Sequence, residues 1–100
     1  MKEQIERIKK QELNLDKTTE VVQQLEKAVQ AWKNQLPQFQ ELMEYYKSED
    51  WLIDKEASDK GSFDGLKCGV LSQDAVYNIY SDQRELNLKI IRVALDYLEN

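Results

Sequence analysis

The chain has 100 residues, 41% of them hydrophobic and 33% charged, with a net charge of −5. That is the size of one domain, residues 1–100, apolar enough to build a core and too rich in Leu, Ile, Val, Trp and Tyr for a disordered chain. The acidic balance repels phosphate backbones and argues against nucleic acid as a partner.

From residue 3 to residue 35 there is no Gly and no Pro, and Glu, Gln, Lys, Leu and Ala dominate. Such residues lose little side-chain freedom in a helix, so a long N-terminal helix is expected. Ile8, Leu15, Val22, Val29 and Leu36 recur every seven residues. One turn away lies a second line, Gln11, Thr18, Leu25, Trp32 and Phe39, so both lines are apolar only in the second half of the helix. Pro37 lacks a backbone donor and pushes Leu36 away from the α region, which predicts a break at Leu36-Pro37.

A second helix should carry Leu36, Phe39, Leu42, Met43 and Tyr46 and fade near Lys47. Ser48 can cap a short third helix holding Trp51 and Leu52, with Gly61 as a left-handed stop. Residues 61–71 contain all three glycines of the chain and read as its long loop, pinned by Phe63, Leu66, Val70 and Leu71. Ser72 is an N-cap candidate, with Asp74 in the first turn. Beyond it Val76, Ile79, Gln83, Leu86, Ile90, Val93 and Tyr97 alternate by three and four, and Ser81-Asp82 allows either one helix or two. No strand pattern appears. The fold expected is all-α: a helical bundle with the long N-terminal helix antiparallel to a long C-terminal helical stretch and short helices between. Its predicted core is Trp32, Phe39, Trp51, Val70, Ile79, Leu86, Ile90 and Val93. Such a first helix, about 50 Å long, overhangs its partner and leaves Ile5, Ile8, Leu13 and Leu15 partly uncovered.

The chemical inventory is thin. With no histidine, the commonest general base and zinc ligand are missing, and so is any Ser-His-Asp or Cys-His arrangement. Cys68 follows Lys67 but has no activating base, so it reads as a structural thiol. Asp54, Glu56, Asp59 and Asp64 crowd around Gly61, but glycine arrives two places late for a calcium loop. Gly61, Gly65 and Gly69 are spaced by four, which fits no phosphate-binding loop. We therefore expect no catalytic residue, no metal site and no cofactor. Cys68, alone, can form no internal disulfide, the N-terminus lacks the apolar segment of a signal peptide, and no apolar run approaches the roughly 20 residues of a membrane span. A cytoplasmic protein that neither crosses nor binds a membrane is the expectation.

Tyr45-Tyr46-Lys47-Ser48, then Trp51-Leu52, Asp54 and Gly61, and finally the run from Leu66 to Asn78 resemble a family of short acidic proteins of Gram-positive bacteria. That family is known only as a domain of unknown function, number forty-two ninety-eight. The resemblance covers essentially the whole chain and is most specific in Gly-Val-Leu-Ser-x-Asp-Ala-Val-Tyr, residues 69–77. Family members often carry an acidic residue and a proline after the glycine, where this chain has Ser62-Phe63-Asp64. The family has no assigned activity, so the resemblance implies no site residue. The reading that remains is a non-enzymatic protein–protein interaction or assembly module with a protein partner or a second copy as a homodimer. Its candidate surface is Tyr45, Tyr46, Trp51, Asp54, Ile5, Ile8 and Leu15. The alternative is an accessory protein regulated by a small molecule or a metal, and a small enzyme ranks below both.

Overall fold

The computed structural model describes residues 1–99. It is all-α, with no strand among the described residues: α1 (Lys2–Tyr46), α2 (Glu49–Asp59), a 3-10 turn at Gly69–Leu71 and α3 (Gln73–Glu99). None of these helices is long and apolar enough to cross a membrane.

The expected break at Leu36-Pro37 is not there: α1 runs through Pro37 as one helix of 45 residues. Proline at this position removes a single bond, the one its missing N–H would give to the Lys33 carbonyl, and an interior proline costs about 3 kcal/mol. The strong helix formers on both sides outweigh that local cost. The segment expected as a second helix is therefore the end of α1, and the seven-residue lines continue without a phase shift to Met43 and Tyr46.

The expected caps are present. The Ser48 hydroxyl accepts from the Trp51 N–H at 3.3 Å and starts α2. At the far end Gly61, at φ +85°, reverses the chain. There the Gly61 N–H reaches the Ser58 carbonyl at 3.0 Å and the Ser62 N–H reaches Ala57 at 3.1 Å. That pair of bonds is the Schellman closure, which needs a left-handed residue and so favours glycine. Ser72 Oγ accepts from the Ala75 N–H at 3.3 Å and opens α3, which continues through Ser81-Asp82 as one helix.

The described residues form two compact units, Met1–Gln40 and the stretch from Glu41 onward. The first is a helix with no buried residue; Trp32 and Phe39 meet on it with ring centres 5.6 Å apart. The second holds the core: Trp51, Leu71 and Val76, each no more than 6% exposed. Leu42, near the end of α1, shares a recess with Val70, Val76 and Ile79. Of the predicted core only Trp51 is fully enclosed. Val70, Ile79, Leu86, Ile90 and Val93 stand exposed, and Trp32 and Phe39 are half-buried. Helical spacing identifies the apolar face but not what covers it: on α3 the one buried residue is Val76, in the first turn.

Candidate functional site

Two exposed features emerge: a cleft built on the α1–α2 corner, and the apolar lines of α1 and α3. The corner depends on Ser48. Its hydroxyl donates to the Tyr45 carbonyl at 2.6 Å while accepting from Trp51, so α1 ends and α2 begins within two residues. This sharp turn brings Tyr45 and Asp54, nine residues apart, into contact: Tyr45 Oη donates to Asp54 Oδ2 at 2.6 Å. Tyr46 meets Trp51 edge to face at 5.2 Å, a favoured geometry for two rings. Trp51 Nε1–H donates to the Val70 carbonyl at 2.9 Å and ties the 3-10 turn to α2.

The structure thus brings Tyr45, Tyr46, Trp51 and Asp54 together, as two adjacent pairs. Trp51, 4% exposed, is a core residue and offers no surface. Tyr45 and Asp54, both half-buried, line a cleft of about 220 Å³ with Phe63, Leu66, Lys67 and Cys68. The sequence marks Phe63 and Leu66 as loop anchors and Cys68 as a structural thiol. Nothing in their spacing shows that the loop brings them to one cleft with Tyr45. The one available signal was the Ser48 cap, which predicts the corner but not the loop's return.

The phenol of Tyr45 is pushed up to about 12, first by its hydrogen bond to Asp54, then by burial and by the negative charges of Asp54 and Asp50. It is therefore a proton donor held in place and not a base at neutral pH. Two other acidic residues of α2 pair with nearby lysines, Asp59 with Lys55 at 2.9 Å and Glu56 with Lys60 at 3.3 Å. Asp64 turns back over Gly61. Among the described residues no three Asp, Glu or Cys side chains converge as metal ligands.

The other candidate residues lie on α1, where Ile5, Ile8 and Leu15 are about half-exposed or more. Val22, Leu25 and Val29 continue the line in the same state, and Leu86, Ile90, Val93 and Tyr97 form its counterpart on α3. Leu13, the most exposed of the α1 aliphatics expected to need cover, lies on the opposite side from the seven-residue line.

A family model described as Domain of unknown function (DUF4298) matches residues 8–93. No curated protein and no solved structure matches the chain.

Proposed function

Since the chain belongs to the family described as Domain of unknown function (DUF4298), we propose a function from its own surface: a non-enzymatic interaction and assembly module that acts through its exposed helical seams. The observation that carries this is the state of Val22, Leu25, Val29, Leu86, Ile90 and Val93. All six lie at seam spacing on two long helices, and all six are exposed. Lone surface aliphatics need no explanation, whereas contiguous apolar stripes mark binding surfaces. An isolated helix draws most of its stability from packing an apolar face, so a long helix with no buried residue calls for a partner protein.

The second reading, a small-molecule-regulated accessory protein, draws on the Tyr45–Asp54 cleft. At about 220 Å³ that cleft falls below the roughly 300–1,000 Å³ usual for ligand pockets, so the seams carry the conclusion. The test is size-exclusion chromatography of the tagged chain in an extract of the cells that make it. The chain should elute in a complex that Val22→Asp or Ile90→Asp releases while leaving the helix content intact. Elution as a free chain, unchanged by either substitution, counts against the module.

A further inference from the structure

We infer that the partner of the α1 seam is a second copy of this chain, paired antiparallel through residues 8–39; the inference rests on the assembly reading above. Residues 1–36 carry 7 basic and 6 acidic side chains, whereas residues 37–100 carry 7 and 13. Two copies of the first segment, each nearly neutral, therefore approach with little net repulsion, which the acidic remainder would not allow.

The seam's unevenness selects the direction. Its polar layers, Gln11 and Thr18, sit in one half, and its bulky rings, Trp32 and Phe39, in the other. A parallel pair would stack Gln11 on Gln11, Thr18 on Thr18, Trp32 on Trp32 and Phe39 on Phe39. The antiparallel register sets Ile8 against the partner's Phe39, Leu15 against the partner's Trp32, Val22 against the partner's Leu25 and Val29 against the partner's Thr18. Every layer then holds at least one aliphatic side chain, and ring bulk is spread along the pair. The remaining layer, Leu36 against the partner's Gln11, is eased because Gln11 Oε1 already accepts from Asn14 at 3.2 Å.

Flanking positions agree with that register. On one side Glu12 faces the partner's Lys33, and by symmetry Lys33 faces the partner's Glu12, both exposed in the single chain. On the other side Val21 faces the partner's Ala28 and Asn14 faces the partner's Gln35, so no like charges oppose. A parallel pair would also satisfy Glu12, beside the partner's Arg7, but would set Lys33 beside the partner's Ala28, so it is Lys33 that finds an opposite charge only in the antiparallel register. Complementary charge at such positions fixes partner and orientation more than it adds affinity.

Sedimentation equilibrium of the purified chain with charge reversals tests this pairing. The wild-type chain should be a dimer. Glu12→Lys and Lys33→Glu, each turning two attractive pairs into two repulsive ones, should each raise the dissociation constant about tenfold. The double variant, with both charges exchanged, should return near the wild-type value at unchanged helical circular dichroism. A chain monomeric at about 100 μM overturns the self-pairing, as does a dimer whose double variant fails to recover. The extract experiment separates the two failures: a complex there, with a monomer in purified form, leaves the module standing and removes the second copy.

Discussion

The Tyr45–Asp54 bond couples the corner to pH through a single proton. Folding raises the Tyr45 pKa from 10.0 to about 12, so the fold favours the protonated phenol. Its contribution is then fully present below pH 10 and is lost as pH rises from 10 towards 12. Tyr45→Phe keeps the ring and deletes the donor, and should cost about 1 kcal/mol at pH 8. Urea unfolding of both proteins at pH 8 and near pH 12 would show the gap closing at the alkaline end. A gap that stays constant would mean the hydroxyl does not hold the corner. Ser48 serves the same corner as the cap of α2, and Ser48→Ala should lower stability by about 1 kcal/mol. If Ser48→Ala leaves the urea midpoint unmoved, the two-residue turn does not depend on it.

At the scale of elements, the two departures from ordinary helix chemistry have opposite signs. Pro37 lies inside α1, where its ring and missing donor are tolerated but unfavourable. Pro37→Ala should raise the melting temperature, with a gain of up to about 3 kcal/mol. Gly61 is the reverse case. At φ +85° an added Cβ is strained whatever space surrounds it, so Gly61→Ala should lower stability by about 1 kcal/mol. A lower melting temperature for Pro37→Ala would mean the proline does useful work that its backbone chemistry hides. These elements also show what was readable in advance. Ser48, Gly61 and Ser72 were legible because caps and stops are decided within four residues. Pro37 misled because its penalty is local, whereas the helix persists on the sum over its whole length. Leu71 and Val76 form the core with Trp51, yet nothing in their spacing set them apart from Leu86 or Ile90. Burial depends on which turn of the face the loop covers. The Tyr45–Asp54 contact was hidden for a related reason: both residues were marked, but only the Ser48 turn joins them.

At the scale of the whole molecule, association and stability become one quantity. If two copies cover the α1 seam, unfolding the dimer releases two chains, and the folded state gains by mass action as concentration rises. Each tenfold increase in concentration should then add about 1.4 kcal/mol to the dimer's unfolding free energy. The thermal midpoint of the wild-type chain should climb accordingly across a dilution series. Val22→Asp, placed at the centre of the seam where Val22 is 56% exposed in the single chain, should flatten that dependence. It should do so with little effect on the intrinsic fold, because it disturbs no intrachain core. Val76→Ala provides the contrast. Val76 is 3% exposed, so its truncation removes buried contacts and should lower the midpoint at every concentration, leaving the slope with concentration intact. A wild-type midpoint independent of concentration would place the stability of α1 in the single chain and leave the seam without a role in folding.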